Sequence, residues 1–269
     1  MFHGEWPLDE NRYIAFSSFY KIMKRRCISY DYYPALNVKK ERHMSLIYEL
    51  EQFRKEFLAK FPKEKADIMA RADMELAAQH ITKSALKTGD MAPEFMIPDA
   101  MGKIVSLKET LTHGAVIIVF YRGGWCPYCN LELRAYQRLL PKIRDMGAQL
   151  MAISLQSPDA SLSTQEKNAL AFPILSDLSG RVSKDFGLFF TLPDYLQELY
   201  TSLGHDLPRI NAMGQWTLPI PATYVVAQDG HIIAHHVDID YRTRMEPEEA
   251  LDAIVKHQDH QNRNLRIFQ

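Results

Sequence analysis

Hydrophobic positions along this chain alternate between a continuous and a helical pattern. Ala115-Val116-Ile117-Ile118-Val119-Phe120-Tyr121 is an unbroken, β-branched run, as expected of a strand buried on both faces of a sheet. Gly123-Gly124 breaks it. From Pro127 to Arg144 the apolar residues Leu131, Leu133, Tyr136, Leu139, Leu140 and Ile143 recur at helical spacing. Pro127 suits the first helical turn, where no intrahelical N–H is lost. Further strands are predicted at Gln149–Leu155, Pro173–Leu175, Thr223–Ala227 and Ile232–His236, with Gln228-Asp229-Gly230 as a tight hairpin turn. Helices are predicted at Ala160–Asn168, Ser179–Phe186 and from Pro247 to about His257. This alternation implies an α/β sandwich around a mostly parallel sheet.

Two other zones precede it. Leu46, Leu50, Phe53 and Phe57 form an apolar stripe with Ser45 as its N-cap; Pro62 interrupts, and Ile68, Met69, Ala72, Leu76 and Ala77 resume it. Residues 44–85 therefore read as a helical pair and 86–258 as the α/β domain, followed by a tail at 259–269. Residues 1–43 are rich in Tyr and Phe, lack a period and show no fold.

With 46% hydrophobic and 24% charged residues in 269, the composition is that of a soluble globular chain of one large or two modest domains. A net charge of −1 argues against general affinity for nucleic acid or anionic lipid, and Lys24-Arg25-Arg26 reads as a solvated face. No stretch approaches a membrane span and the start is no secretory signal. The three cysteines, Cys27, Cys126 and Cys129, fit a reducing compartment better than a disulfide scaffold. A cytoplasmic location is expected.

The chemistry concentrates at Trp125-Cys126-Pro127-Tyr128-Cys129, where the strand hands over to the helix. Unpaired N–H groups and the positive end of the macrodipole favour an anion there, and can bring a thiol from about 8.5 down to roughly 3.5–7.5. Two intervening residues let the sulfurs close a small disulfide. Cys-x-x-Cys is also half of a zinc site, but no second pair or His-x-x-x-His accompanies it, and no metal or other cofactor is expected. Two inert, packed thiols are the remaining alternative; the Gly-Gly break and helix start favour redox chemistry.

Gly89-Asp90-Met91-Ala92-Pro93-Glu94-Phe95, Leu175-Ser176-Asp177, Val182-Ser183-Lys184-Asp185-Phe186-Gly187 and Ala222-Thr223-Tyr224-Val225-Val226 with Asp229-Gly230 resemble motifs of the peroxiredoxins. The segment from Tyr121 to Arg134 more closely resembles the thioredoxin-like, Cys-x-x-Cys branch of the alkyl hydroperoxide reductase/thiol-specific antioxidant (AhpC/TSA) family. The likeness runs from the helical pair through Asp240-Tyr241-Arg242-Thr243-Arg244-Met245-Glu246-Pro247. It implies a thioredoxin-like fold of the peroxiredoxin type. The likeness begins near Met44, and Lys40-Glu41 is compatible with a ribosome-binding AAGGAG, so Met44 is expected as the natural start.

Departures from the family pattern carry physical content. Peroxiredoxins use Pro-x-x-x-Thr-x-x-Cys and a later arginine. Ungapped matching puts their cysteine on Cys129, their threonine on Cys126, their proline on Arg122 and their arginine on Pro221. Only the cysteine survives, so the donors that stabilise the departing peroxide oxygen must come from elsewhere. Arg122 is either a substitute guanidinium or a strand-end residue facing water, and the plainer water-facing reading is preferred. Ile220-Pro221 resembles the cis-proline that faces the dithiol in thioredoxin. In a thioredoxin-style cycle Cys126 is the more exposed, attacking sulfur; in a peroxiredoxin-style cycle Cys129 becomes the sulfenic acid and Cys126 condenses with it. Pro127-Tyr128 between them resembles glutaredoxin and suggests a potential nearer about −200 to −230 mV than −270 mV.

Trp125 is expected to shield the dithiol. Glu132 is either a proton carrier or, as preferred, a surface acid. His235 and His236 point to opposite faces of a strand, leaving His231 and His235 as too small a set for a metal. Phe189 to Leu218 is longer than the usual connection: a lid, a docking or dimer surface, or, more plainly, a helical excursion packed on the domain. The resulting expectation is a thiol-dependent peroxidase for hydrogen or organic peroxides, re-reduced by thioredoxin or glutathione. A protein disulfide oxidoreductase is the first alternative and a non-enzymatic redox-sensing module the second.

Overall fold

The computed structural model describes residues 45–267. The aromatic-rich start, Lys24-Arg25-Arg26, Cys27 and Met44 lie outside the described residues. Two helices come first, α1 (Leu46–Leu58) and α2 (Lys63–Ala78), with Pro62 at the start of α2. Ser45 caps α1 as its position predicts, its hydroxyl accepting from the Tyr48 amide at 3.3 Å. The Glu246 carboxylate accepts from the Leu46 and Ile47 amides at 3.0 and 2.8 Å, placing a negative charge at the positive end of the helix. Phe53 of the α1 stripe meets the Tyr128 ring edge-on at 5.0 Å, so this helix covers the segment that carries the cysteines.

A hairpin of β1 (Met96–Pro98) and β2 (Ile104–Ser106), too short for a periodic signal, and helix α3 (Leu107–Leu111) precede the central sheet. The apolar run becomes β3 (Val116–Phe120), buried at every position. Then follow α4 (Pro127–Asp145), β4 (Gln149–Ser154), α5 (Pro158–Lys167), β5 (Ile174–Ser176) and α6 (Arg181–Asp185). The long connection contains β6 (Phe189–Thr191), α7 (Asp194–Ser202), α8 (Leu207–Ile210) and β7 (Thr217–Pro219). Strands β8 (Ala222–Val226) and β9 (Ile232–Val237) and helix α9 (Pro247–Ile267) end the fold. Helix α9 runs well past His257 into the region expected to be a tail.

The sheet order is β5-β4-β3-β8-β9. It is mixed and not mostly parallel: β3, β4 and β5 run together, while β8 is antiparallel to both β3 and β9. The tight turn at Gln228-Asp229-Gly230 forces this for β8 and β9, because parallel neighbours need a long crossover. Side chains of β3 alternate between two cores. Ile117 and Val119 pack with α4 and α9, and Val116, Ile118 and Phe120 pack with Phe186, Leu188 and Ile220 on the other face. The 189–218 connection is an excursion whose strands pair with each other, and Leu192, Leu196, Leu199, Tyr200 and Leu218 share a third apolar cluster with Ala72 of α2.

Candidate dithiol active site

Close backbone approach explains the Gly-Gly break. Gly123 has φ +149°, and a Cβ there would stand 2.4 Å from the Trp125 ring nitrogen. A Cβ on Gly124 would stand 2.2 Å from Thr164 Oγ1. The Gly124 amide donates to Gln156 Oε1 at 2.7 Å, and its carbonyl accepts from Asn130 Nδ2 at 2.9 Å and Lys167 Nζ at 3.2 Å. Cys126 follows as the N-cap of α4, its amide donating to the Gly123 carbonyl at 3.0 Å, with Pro127 as the first helical residue. The loop is thus fixed from α4 and α5 together.

Both sulfurs are free thiols within the protein, Cys126 1% and Cys129 0% exposed. The expected exposure of Cys126 is not found, because Trp125, Tyr128, Tyr200 and Tyr241 gather over this end of the sheet. The two thiols are electrostatically unequal. Burial alone would raise Cys126, but donation from the Cys129 thiol and the charges of Arg122 and Arg244 outweigh it and bring it down to about 6. Burial raises Cys129, and its hydrogen bond to Cys126 and the charge of that neighbour raise it further. The flanking charges thus favour the anion on Cys126 over Cys129.

Two buried arginines flank them. Arg122, expected to face water, is 5% exposed and stacks on Tyr241 at 4.1 Å and Trp125 at 4.9 Å, while Nη2 donates to the Tyr200 hydroxyl. The excursion supplies Tyr200 and thereby closes the strand end that the sequence leaves open. Burial opposes the Arg122 charge, but the adjacent phenols and sulfurs hold its pKa above the ordinary value. Arg244 Nη2 is 3.5 Å from Cys129 Sγ, and Nε donates to Glu132 Oε2 at 2.6 Å. The rest of its fork serves the Tyr241 carbonyl and the Thr243 carbonyl, the latter at 2.6 Å.

Glu132 is no surface acid. It is 0% exposed, turned inward on α4 against Thr223 of β8, whose hydroxyl donates to it at 3.4 Å. Its burial is tolerated because Arg244 neutralises it. Burial raises its pKa to about 7 against the opposing charge of Arg244, with the neighbouring Cys129 pushing the same way as burial. Sequence reasoning missed Arg244, Thr223, Tyr200 and Tyr241 as site residues. Arg244 stands in the Asp240–Pro247 block that carries part of the resemblance, but no local spacing ties it to a cysteine 115 residues earlier.

Other expectations resolve around this core. Ile220-Pro221 is trans: no cis peptide occurs among the described residues. Trans is the lower-energy isomer, and it suits the path by which Ile220 donates its amide to Leu188 before Ala222 pairs with Phe120. Pro221 still lines a cavity next to Arg122. Trp125 packs on Tyr200 at 5.4 Å and His205 at 5.0 Å, shielding the excursion side. Tyr128 lies between Phe53 and Tyr241. His231, His235 and His236 go separate ways, to Asp229, Thr88 and Thr243. No helix among the described residues is long and apolar enough to cross a membrane.

This geometry places two free thiols of unequal acidity, two buried guanidiniums and a buried carboxyl within one site. Comparisons with known proteins agree with its redox character. Thiol-disulfide oxidoreductase ResA of Bacillus thuringiensis subsp. konkukian is 23% identical over 149 residues, 55% of this chain and 68% of that protein. Peroxiredoxin Bcp of Escherichia coli K12 is 30% identical over 104 residues, 39% of this chain and 66% of that protein. Among solved structures, peroxidoxin BcpB from Mycobacterium tuberculosis superposes with a TM-score of 0.51 at 22% identity, covering 64% of this chain and 97% of that one. Reduced Plasmodium vivax 2-Cys peroxiredoxin also gives 0.51, at 18% identity over 66% and 84% of the two chains. Both structures share the fold. Residues 88–235, more than half of the sequence, match the AhpC/TSA family, and with the peroxiredoxin-type fold behind that match the chain belongs to this family as a peroxiredoxin-like oxidoreductase.

Proposed function

We propose that this protein is a thiol peroxidase that reduces hydrogen or organic peroxides through Cys126 and Cys129. The observation that carries the reading is the pairing of a buried, low-pKa Cys126 with Arg122, because a small peroxide needs a thiolate and a fixed donor for its departing oxygen. The Cys126 thiolate attacks one peroxide oxygen, the O–O bond breaks, and the alkoxide or hydroxide leaves and takes up a proton. Arg122 stabilises that developing charge. Cys129 passes its proton to Glu132 and attacks the Cys126 sulfenic acid, expelling hydroxide, which recovers the proton as water. Arg244 holds Glu132 and steadies the Cys129 thiolate as it forms. Thioredoxin or glutathione then returns two electrons and two protons to the disulfide.

The likeness to a thiol-disulfide oxidoreductase favours a second reading, exchange with protein disulfides. Burial of both sulfurs weighs against it, since a protein disulfide is far bulkier than a peroxide. Peroxide consumption by reduced wild type, Cys126→Ser and Cys129→Ser, with mass spectrometry locating sulfenic acid, separates them. Turnover well above that of a free thiol, with sulfenic acid on Cys126 in Cys129→Ser, is expected. A rate no faster than free thiol, together with reduction of a protein disulfide by wild type, would transfer the assignment to dithiol exchange.

A further inference from the structure

A cavity of about 230 Å³ reaches Arg122 between α2 and the 189–218 excursion. Ala72 and Leu76 of α2 face Leu192, Leu196 and Leu218 across it. A dry cavity of about 150 Å³ already accepts benzene, so this one has room for a small aryl or alkyl body.

Its charges are unevenly satisfied. Asp73 on the cavity wall is held by Arg242 at 2.9 Å, an arginine it shares with Asp240, and Glu75 is held by Arg71 at 2.8 Å and Tyr195 at 2.5 Å. No carboxylate among the described residues is ion-paired to Arg122, whose charge reaches Asp73 only at longer range; its one side-chain bond goes to a neutral phenol, and its buried Nε finds no acceptor. A guanidinium withdrawn from water without an anion is costly. In the reduced protein the Cys126 thiolate supplies the compensating charge. Oxidation removes it: the Cys126 thiolate and the Cys129 thiol give up two electrons and one proton to form the S–S bond, and Arg122 is left beside two neutral sulfurs.

We infer that this cavity binds a small apolar carboxylate, its body against α2 and the excursion and its charge on Arg122, and that the disulfide form binds it more tightly than the dithiol form. The inference rests on the dithiol cycle proposed above, not on which oxidant drives it. Linkage makes the effect reciprocal: a ligand that favours the disulfide lowers its reduction potential, by about 30 mV for each tenfold preference. An accumulating organic acid would then hold the protein in its oxidised state.

Calorimetric titration with 3-phenylpropionate at neutral pH tests this, using full-length protein reduced with dithiothreitol or oxidised with the small two-electron thiol oxidant diamide, each reagent removed before titration. Free thiols are counted first by alkylation and intact mass, and 3-phenylpropanamide serves as the uncharged control. The carboxylate is expected to bind the disulfide form at least fivefold more tightly than the dithiol form, while the amide shows no preference. Cys126→Ser, which lacks the thiolate permanently, should bind like the disulfide form. Arg122→Met should erase the preference for carboxylate over amide, and Leu76→Trp, on a half-buried wall position, should weaken both redox forms. Failure of the disulfide to form would overturn the dithiol cycle and this inference together. Equal carboxylate affinity in the two forms, or no binding to either, with the disulfide formed, would overturn this inference alone.

Discussion

The Arg244 guanidinium stands 3.5 Å from the Cys129 sulfur. It makes this contact while paired to Glu132, so one buried cation serves both the Cys129 sulfur and a buried carboxyl. Replacing it by methionine strands Glu132 in the core. Arg244→Met is expected to lose about 3–5 kcal/mol in urea denaturation, and Arg244→Met/Glu132→Gln to recover much of that, because the double variant leaves no buried charge unpaired.

Thiol reactivity reports the asymmetry of the pair. Alkylation of reduced wild type by iodoacetamide should rise with pH through a midpoint near 6 and modify Cys126 first, as its lowered pKa dictates. Arg122→Met removes one of the charges that lower it, so its midpoint should move up. Modification of Cys129 ahead of Cys126 would contradict the assignment of the nucleophile.

Stability should carry the same signature. The folded-state pKa of Cys126 lies below its unfolded value of 9.0, so its contribution is full above pH 9 and is lost as pH falls through about 6. Reduced wild type should therefore gain stability from pH 6 to 9, with a slope of at most about 1.4 kcal/mol per pH unit. Cys126→Ser should lack that gain. Glu132 acts in the opposite sense, its raised folded pKa costing stability as pH climbs from 4.5 to about 7. Glu132→Gln should flatten that lower window, as thermal melts across the range would register.

Backbone approach at Gly124 permits a steric test. Gly124→Ala drives a methyl to 2.2 Å from Thr164 Oγ1 and should cost about 1–3 kcal/mol, with slower reaction at Cys126 as the loop shifts. Thr164→Ala in the same chain removes that oxygen and should restore part of the loss, read as a recovery in urea midpoint.

Local signals marked the parts of this fold that local chemistry decides. The run ending at Phe120, the Gly123-Gly124 break, Pro127 at the helix start and Ser45 as a cap each carry their reason within a few residues. Glu132 and Arg122 read wrongly because their surroundings arrive from far along the chain. Glu132 is buried by Thr223 and Arg244, and Arg122 by Tyr200 of an excursion whose position no periodicity encodes. An isolated acid or strand-end arginine looks solvated until its distant partner is known. The direction of β8 against β3 was hidden for a similar reason, since pairing order is a property of the assembled sheet and not of either strand.

Glu246 accepts from Ser45, Leu46 and Ile47 across some 200 residues, and this draws the start of α1 to the start of α9. The family match stops at residues 88 and 235, inside both of these points. A fragment trimmed to the match would discard the clasp, the Phe53 side chain that roofs Tyr128, and Arg244 itself. Segments that look like appendages in an alignment are here the fastening of the chamber around the dithiol, and recombination that exchanged only the matched segment would leave that dithiol without the Arg244 cation beside it.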